Sequence, residues 1–461
     1  MSGRDAKRYA AYKESGVDWL GELPAHWEVK RLKELGKIQN SNVDKKTYPD
    51  EKAVRLCNYV DVYKNEFINS HLLQEFMSAT ADEFEILKFA VKENDLLITK
   101  DSETADDIAI PALVTETLDG VLCGYHLAQI RTNSKKLLGP YLFRLFQSNR
   151  YNSRFEVSAK GITRVGLGQS AISDALTPVP PLPEQTAIGA YLDTKTAQID
   201  RQVELLNKKA TQYGKLKQSL INETVTRGLD SSIPMKESGV EWIGEVPAHW
   251  DVKRLKELGK IQNSNVDKKT YPDEKAVRLC NYVDVYKNEF INSRLLQEFM
   301  LATADESEIK KFAVKQNDVL ITKDSETADD IAIPALVTET LTGVLYGYHL
   351  AQIRTNSKKL FGPYLFRLFQ SNSYNSRFEV SAKGITRVGL GQSAISDALT
   401  PVPPLSEQAA IAAYLDMKTA QIDRIVSTIN TQIDKLKELR KTLINDVVTG
   451  KIKVIPEGEL A

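Results

Sequence analysis

The chain has 461 residues, of which 42% are hydrophobic and 26% are charged, so it is long enough for two or three folded domains. Its 61 basic and 61 acidic side chains cancel, which excludes a polycation that coats nucleic acid but not a local basic face. No apolar run reaches the roughly 18 residues that span a bilayer, and three cysteines are too few for a disulfide framework. We therefore expect no contact with a membrane and a cytoplasmic location.

A tandem repeat dominates the sequence. The segment GITRVGLGQSAISDALTPVPPL runs from Gly161 to Leu182 and recurs without change from Gly384 to Leu405. At this offset of 223, residues 30–182 and 253–405 differ at ten of 153 positions. A period this long is a whole domain with a connector, not a solenoid repeat. The sequence therefore predicts two copies of one domain at residues 1–182 and 229–405, with connecting segments at 183–228 and 406–461.

Inside each copy, strand-like and helix-like segments alternate. In the first copy, Val54–Tyr63, Ala90–Lys100 and Val121–Thr132 have the alternating or apolar character of strands. Leu138–Ser158 instead places large apolar residues at helical spacing. The sequence therefore predicts an α+β fold in which each copy is a mixed α/β domain.

The two connecting segments differ in sequence but share a heptad pattern of apolar residues. The heptad positions are Leu192, Ile199, Leu206, Tyr213 and Leu220 in the first segment and Leu415, Ile422, Ile429, Leu436 and Leu443 in the second. Gly228 and Gly450 stand where a glycine ends a helix. Heptads of this length predict two long helices that pair as an antiparallel coiled coil. The alternative is two separate amphipathic helices, each lying on its own domain.

No catalytic motif is visible in the sequence. The chain has no GxxxxGK[ST] phosphate loop, and its five histidines lack the spacing of metal ligands. Pro180-Pro181 is similar to part of an amino-methyltransferase motif, but its neighbours Val179 and Leu182 lack the polar and aromatic groups which that chemistry needs. We therefore expect a protein without an active site, a metal or a cofactor of its own.

Two near-identical domains on an antiparallel helix pair would be related by a pseudo-two-fold axis. Duplex DNA is the natural partner for such a protein, because half-sites match the symmetry of the protein that binds them. The candidate contact residues are polar and aromatic side chains that could reach phosphates and base edges. They are Lys100, Ser102, Thr104, Tyr125, His126, Lys160, Thr163, Arg164 and Gln169 in the first copy, and Lys323, Ser325, Thr327, Tyr348, His349, Lys383, Thr386, Arg387 and Gln392 in the second. The alternative is that these residues form ordinary solvated loops.

The chain also resembles the specificity subunit of type I restriction–modification systems over nearly its whole length. The resemblance lies in the domain starts Ser15–Trp19 with Pro24–Trp27 and Ser238–Trp242 with Pro247–Trp250, in the helix openings Pro180–Gln185 and Pro403–Gln408, and in Leu97–Pro111. It implies two target recognition domains that bind double-stranded DNA and dock to two modification subunits. It also implies that those subunits methylate adenine with S-adenosylmethionine, and that restriction subunits, where present, use ATP and magnesium.

One departure from this family pattern is informative. Members usually carry two different recognition domains and read an asymmetric split site, whereas the two domains here are almost the same. Our hypothesis is a split target with inverted, identical half-sites, in effect an interrupted palindrome. Two alternatives stay open at this point: a coiled-coil scaffold that binds protein partners, and an orphan DNA-binding regulator with the same architecture.

Overall fold

The computed structural model describes residues 8–384 and 386–454, which form two compact units. The first unit combines both ends of the chain, Met1–Leu206 and Thr431–Ala461, and the second takes Asn207–Asn430. Each unit contains one copy of the repeated domain. The limits predicted from the repeat, 1–182, 183–228, 229–405 and 406–461, follow the chain, whereas the compact units also include parts of both long connecting segments.

The first copy consists of short strands and helices that end in one long helix. Its strands are β1 (Tyr12–Glu14), β2 (Glu22–Pro24), β3 (Glu28–Arg31), β4 (Gly36–Asn40), β5 (Lys52–Cys57), β6 (Phe67–Ile68), β7 (Met77–Ala81), β8 (Asp95–Thr99), β9 (Asp101–Ser102), β10 (Pro111–Val114), β11 (Val121–Cys123), β12 (Leu127–Thr132), β13 (Val165–Gly166) and β14 (Leu176–Val179). Its helices are α1 (Tyr59–Lys64), α2 (Glu83–Phe89), α3 (Gly139–Phe146), α4 (Asn149–Ser158), α5 (Gln169–Ser173) and α6 (Leu182–Arg227).

The second copy has the same order of elements, except that its α-helix α7 (Leu255–Leu258) stands where the first copy has a 3-10 helix at Leu32–Glu34. Its strands are β15 (Met235–Glu237), β16 (Glu245–Pro247), β17 (Asp251–Arg254), β18 (Gly259–Asn263), β19 (Lys275–Cys280), β20 (Phe290–Ile291), β21 (Met300–Ala304), β22 (Val319–Thr322), β23 (Asp324–Ser325), β24 (Pro334–Val337), β25 (Val344–Tyr346), β26 (Leu350–Thr355), β27 (Val388–Gly389) and β28 (Leu399–Val402). Its helices are α7 (Leu255–Leu258), α8 (Tyr282–Lys287), α9 (Glu306–Phe312), α10 (Gly362–Phe369), α11 (Asn372–Ser381), α12 (Gln392–Ser396) and α13 (Leu405–Val448).

Two sheets form the frame of the first domain. The larger has the order β4-β12-β8-β10-β6 and is antiparallel except for the pair β10–β6. The smaller has the order β11-β5-β7, in which β11 is parallel and β7 antiparallel to β5. Successive side chains of a strand point to opposite faces. In β8, Leu96 and Ile98 therefore join one hydrophobic core while Leu97 joins a second.

The first of these cores joins the larger sheet to the helices. Phe146 of α3 and Phe155 of α4 stack in it with ring centroids 5.2 Å apart. The start of α6 adds Ile188 and Leu192 to the same core, and the end of α13 adds Ile444. Because the start of one long helix packs beside the end of the other, the two helices run antiparallel in this unit.

The second unit repeats this architecture. Its sheets have the orders β18-β26-β22-β24-β20 and β21-β19-β25. The end of α6 contributes Ile221 and Val225 to a core that also holds Ile411 and Leu415 from the start of α13. The helices therefore run antiparallel here as well. The first unit contains the start of α6 and the end of α13, whereas the second contains the end of α6 and the start of α13.

The two long helices predicted from the heptads are confirmed. Among the heptad positions, five are buried and five are half-buried: the former are Leu192, Ile199, Leu415, Ile422 and Ile429, the latter Leu206, Tyr213, Leu220, Leu436 and Leu443. Gly228 and Gly450 follow the helices with φ of 76° and 74°, the left-handed conformation that glycine adopts at a helix end. The pairing within each unit excludes the alternative of two separate helices.

One of the predicted strands is partly wrong, because its second half is a helix. Val54–Tyr63 contains β5, but its second half is the helix α1. The backbone N–H of Asn58 donates to the carboxylate of Asp61 at 2.7 Å, which starts a helical turn. The helix cap at Asn58 therefore determines the structure of residues 59–64, although their apolar residues alternate as in a strand.

The other predictions need smaller corrections. Ala90–Lys100 is a strand only in β8, and Val121–Thr132 is two strands, β11 and β12, separated by a turn at Gly124. Leu138–Ser158 is helical as predicted, in the two helices α3 and α4.

Candidate nucleic-acid interface

A groove with aromatic walls lies at the surface of the first domain. It has a volume of about 490 Å³ and is lined by Lys45, Asn58, Tyr59, Val60, Asp61, Lys64, Glu75, Met77, Tyr125, His126 and Arg164. We call this surface the aromatic groove. It brings together three of the residues that the sequence predicts as DNA contacts, namely Tyr125, His126 and Arg164.

The short helix α1 forms one wall of the aromatic groove. Tyr59 and Tyr63 lie one helical turn apart, with their rings in edge-to-face contact at 5.8 Å. Both are more than a third exposed, at 36% and 37%. Burial raises the pKa of Asp61, although the hydrogen bond from Asn58 opposes this shift. The helix therefore presents aromatic rings outward from a turn that its own cap holds in place.

The turn between β11 and β12 forms another wall. The rings of Tyr125 and His126 lie 3.8 Å apart, and His126 meets the Tyr59 ring edge to face at 5.4 Å. This turn requires a glycine at position 124, because a Cβ at Gly124 would lie 2.6 Å from Asn58 Oδ1. The close approach of the turn to Asn58 thus brings the three aromatic rings together.

A single carboxylate, that of Asp101, pairs with a lysine and a histidine beside the groove. Asp101 Oδ2 lies 3.1 Å from Lys100 Nζ and 3.3 Å from His126 Nδ1. Burial is the largest effect on the pKa of His126 and lowers it; the hydrogen bond to Asp101 opposes this shift, and Arg164 adds to it. The imidazole is therefore neutral at pH 7, and an incoming anion would find Lys100 already paired.

A small hairpin places Arg164 at the groove. Strands β9 and β13 pair antiparallel, and Lys160 exchanges backbone hydrogen bonds with Gly166 at 3.0 and 2.9 Å. Gly161, at the tip, has φ of 142°, and a Cβ there would lie 1.8 Å from the carbonyl oxygen of Arg164. The tip residues are exposed, including Lys160, Thr163 and Arg164. The glycine therefore allows a tight tip that presents two cations to solvent.

Three other predicted contact residues hold the loops in place. Ser102 is 7% exposed and lies 3.4 Å from the hydroxyl of Tyr63. Thr104 Oγ1 donates to Asp107 Oδ2 at 3.3 Å, and Gln169 Nε2 donates to the backbone oxygen of Ile38 at 3.0 Å. These hydrogen bonds position the hairpin and the loop after β9, and a contact of these residues with DNA stays a prediction.

The second unit repeats the arrangement residue by residue. Tyr348 and His349 have ring centroids 3.9 Å apart, and Asp324 lies 2.6 Å from Lys323 and 3.3 Å from His349. The remaining predicted residues have the same places: Ser325 beside Tyr286 at 3.4 Å, Thr327 bonded to Asp330 at 3.2 Å, Gln392 bonded to Ile261 at 3.1 Å, Lys383 paired with Gly389, and Thr386 and Arg387 exposed.

Sequence reasoning missed the contribution of α1 to the groove. Tyr59 and its second-copy equivalent Tyr282 were hidden in a segment that alternates like a strand. The signal that identifies them is the pair Asn58 and Asp61, a capping residue followed three positions later by a carboxylate. Lys45, at the rim of the groove, carries no local signal.

The ten differences between the copies avoid the aromatic groove. They are His71/Arg294, Ser78/Leu301, Phe84/Ser307, Leu87/Lys310, Glu93/Gln316, Leu96/Val319, Asp119/Thr342, Cys123/Tyr346, Leu138/Phe361 and Arg150/Ser373. None of these residues lines the groove. Both domains therefore offer the same set of side chains at this surface.

The described part of the chain offers neither a metal site nor a membrane-spanning helix. Within residues 8–384 and 386–454, no group of three or more His, Cys, Asp or Glu side chains is placed to hold a metal ion. Over the same residues, no helix is long and apolar enough to cross a membrane.

Comparisons with known proteins point to one family. The model of the type I restriction modification DNA specificity domain matches residues 24–211 and 247–436. The type I restriction enzyme MjaVIII specificity subunit of Methanocaldococcus jannaschii is 23% identical over 452 residues, which cover 96% of this chain and 97% of the relative. The EcoKI specificity subunit of Escherichia coli K12 is 20% identical and covers 94% of this chain and 90% of its own length.

Solved structures share the fold. A chain from a study of complex assembly and conformational transition of the type I R-M system superposes with a TM-score of 0.71 at 17% identity, covering 92% of this chain and 98% of that one. The HsdS subunit from Thermoanaerobacter tengcongensis gives a TM-score of 0.53 at 16% identity, covering 93% and 98%.

Proposed function

The chain belongs to the type I restriction modification DNA specificity family, and from this premise we propose that it is the DNA specificity subunit of a type I restriction–modification complex. It binds a bipartite double-stranded DNA site with one recognition domain in each unit. The observation that carries this proposal is the aromatic groove of the first domain, which is built from loops and a short helix beside an exposed cationic hairpin. All of its lining residues recur in the second domain.

The chemistry of the groove suits nucleic acid. Arg164 and Lys160 are exposed on a hairpin that can approach a phosphate backbone closely, and arginine can also donate two hydrogen bonds to guanine. Tyr59 and Tyr125 offer aromatic edges and hydroxyls on the same surface. Lys100 stays paired with Asp101 until a stronger partner replaces it. Base readout and phosphate contact would therefore come from separate parts of one surface.

The target is an interrupted palindrome. The side chains that line the aromatic groove are identical in the two copies, since none of the ten differences falls there. Identical readers select identical half-sites, and the pseudo-two-fold axis expected from the heptad pairing would invert one half-site relative to the other. The inverted repeat in the DNA thus follows from the direct repeat in the protein.

Catalysis belongs to partner subunits. Two modification subunits dock to this chain and methylate adenine with S-adenosylmethionine, and restriction subunits, where the system has them, use ATP and magnesium. The chain contributes recognition and positioning but no reacting group and no cofactor. The absence of a phosphate-loop motif in its sequence supports this division of labour.

The test is a genome-wide map of methylated adenines in cells that express this chain with its modification subunit, compared with cells that lack the chain. We expect a methylated interrupted palindrome that disappears with the chain. An asymmetric split motif would contradict the palindrome while keeping the role in specificity. An unchanged methylation map, with both proteins expressed, would overturn the proposed function.

Arg164→Ala tests the groove in the same assay. Changed in one copy only, it should relax base preference in one half-site and leave the other intact. Arg150→Ser is the matched control, because Arg150 is an exposed arginine of the same domain and the second copy already has Ser373 there. Equal effects of both substitutions would show that net charge, not the groove, sets the preference.

A further inference from the structure

A series of five alternating charges ties the first domain to both long helices. It runs from Asp193 on α6 to Arg144 on α3, then to Glu66 before β6, to Arg440 on α13, and back to Asp200 on α6. The Arg144 guanidinium lies 2.6 Å from Asp193 and 3.8 Å from Glu66, and the Arg440 guanidinium lies 2.5 Å from Glu66 and 3.1 Å from Asp200. We call this series the charge chain.

The second unit builds the same charge chain independently. It consists of Asp416, Arg367, Glu289, Lys217 and Asp423. The Arg367 guanidinium lies 2.6 Å from Asp416 and 3.9 Å from Glu289, and Lys217 Nζ lies 3.5 Å from Glu289 and 2.9 Å from Asp423. The only change of residue type is lysine for arginine at the fourth position, which preserves the charge.

Burial of its arginines makes the ion pairs of the charge chain costly to break. The side chains of Arg144 and Arg367 are both 2% exposed. A buried cation that loses a partner is strongly unfavourable, so the domain is held where the partners meet. Arg144 also donates to Gln147 at 2.7 Å and lies over the Phe143 ring at 4.9 Å, which fixes its side chain on α3. Any rotation of the domain on the helices would separate this fixed guanidinium from Asp193 of α6, and would separate Glu66 from Arg440 of α13.

The path of the charge chain locks three elements together. It begins and ends on one helix, at residues seven positions apart or roughly 10 Å along the axis, and passes through the domain and the other helix between them. Four of its charges come from one repeat and the fifth from the other repeat, at Arg440 in the first unit and Lys217 in the second. Apolar contacts alone are not directional and would tolerate small rotations of the domain.

We propose that Glu66 and Glu289 are positioning residues for DNA specificity. Each fixes the angle of a recognition domain on the helices of its own unit, and this angle determines which spacer length between half-sites the protein accepts. This inference rests on the proposed function. It assigns spacer selectivity to carboxylates that lie outside the aromatic groove. In the proposed function, the residues of the groove read the half-sites themselves.

The experiment selects DNA with the full-length chain. The probe is a pool of duplexes with two randomised blocks separated by spacers of every length over one helical turn, and the bound fraction is sequenced. For Glu66→Gln with Glu289→Gln we expect unchanged half-sites but a broader spacer distribution. Discrimination against a spacer that is one base pair too long or short should fall about 10-fold, because the penalty for misplaced charges is lost.

Substitutions of the fourth member provide the controls. Arg440→Lys copies the second unit and should keep the wild-type spacer distribution, whereas Arg440→Met should broaden it. Arg201→Met removes an exposed charge from α6 that pairs with Glu204 instead, and it should have no effect. If the glutamine variant does not fold, the comparison of Arg440→Met with Arg440→Lys decides the question.

The outcomes separate this inference from the proposed function. An unchanged spacer distribution in Glu66→Gln with Glu289→Gln, with the half-sites recovered, would overturn the positioning role alone. The same broadening in Arg201→Met would also overturn it, because any loss of charge would then suffice. Failure of the wild-type chain to enrich any split site would overturn the proposed function and this inference with it.

Discussion

Asp101 lies between a lysine and a histidine at the edge of the aromatic groove, and Asp324 does the same in the second domain. A carboxylate at a DNA-binding surface repels phosphate and also occupies cations that would otherwise bind it. Both effects act on DNA of any sequence, whereas hydrogen bonds to bases form only at the correct site. If the aromatic groove binds DNA as proposed, we therefore expect the carboxylate to lower non-specific affinity more than specific affinity.

Asp101→Asn with Asp324→Asn should strengthen binding to an unrelated duplex. The freed lysines gain phosphate contacts, and each contact should steepen the slope of log affinity against log salt by about 0.9. Fluorescence anisotropy over a series of salt concentrations measures this slope. Asp119→Thr is the control, because Asp119 is exposed and the second copy has Thr342 there. An equal rise in the control would point to net charge alone.

His126 and His349 should make stability depend on pH with a definite sign. Burial lowers the pKa of each imidazole in the folded chain. At a pH between the folded and the unfolded pKa of the histidine, the unfolded chain therefore binds more protons than the folded chain. Stability should therefore decrease as the pH falls below about 6.5, the pKa of an unperturbed histidine. His126→Gln with His349→Gln should remove this part of the decrease.

Urea unfolding of the chain without DNA, repeated between neutral pH and pH 5, measures the effect. The difference between variant and wild type isolates the two histidines from carboxylates that titrate in the same range. His71→Arg is the control, because His71 is exposed and the second copy has Arg294. Parallel curves for wild type and glutamine variant would contradict the prediction.

At the scale of elements, the long helices owe their pairing to the apolar heptads. Ile429 is 4% exposed on α13, whereas Ile425, one turn earlier, is 38% exposed. Ile429→Ala should lower the free energy of unfolding by about 2–4 kcal/mol, because it opens a cavity in the seam. Ile425→Ala removes the same atoms from a more solvated site and should cost clearly less. Urea unfolding followed by circular dichroism compares the two, and equal losses would contradict the packing described here.

Sequence reasoning works for elements whose signal is local and fails for those whose signal is distant. The helices α6 and α13 were predictable because a heptad repeats along one segment. The helix α1 was not, because its apolar alternation imitates a strand and only the cap at Asn58 distinguishes it. For the same reason the sequence does not predict Tyr59, one of the three aromatic side chains that line the groove.

The charge chain is an arrangement that sequence reasoning could not predict, because its members are distant in the sequence. Glu66 and Arg440 form an ion pair across 374 positions of sequence, and no periodicity relates them. Single charged residues on helices are common and are usually solvated. Only the antiparallel course of the two long helices brings these groups together, so no reading of the local sequence could pair them.

At the scale of the whole molecule, each unit is completed by the other repeat. The end of α13 supplies Ile444 and Arg440 to the first unit, and the end of α6 supplies Ile221 and Lys217 to the second. The two helix ends are thus interchangeable in charge and in apolar character. A single repeat therefore contains every group that one unit requires, but it cannot place its own helix end beside its own domain.

A half-length chain of residues 1–228 should accordingly form a dimer. Each copy would lend its helix end to the other, with Lys217 taking the place of Arg440 beside Glu66. Size-exclusion chromatography with light scattering measures the mass. Lys217→Glu should weaken the dimer by placing a like charge beside the carboxylates, while Arg201→Glu, on an exposed face of the same helix, should not. A folded monomer at tens of micromolar would contradict this prediction.

The interleaving of the two repeats also has a consequence for biosynthesis. The second unit is a continuous stretch, Asn207–Asn430, and all of its parts have left the ribosome once that stretch has emerged. The first unit needs Ile444, Val447 and Val448 for its core, so the domain that is translated first must wait until residue 448 has been synthesised. During that interval its apolar surface at α3 and α6 stays uncovered, although domains generally fold in the order of their synthesis. Nascent chains should therefore acquire their stable structure from the middle of the sequence outward.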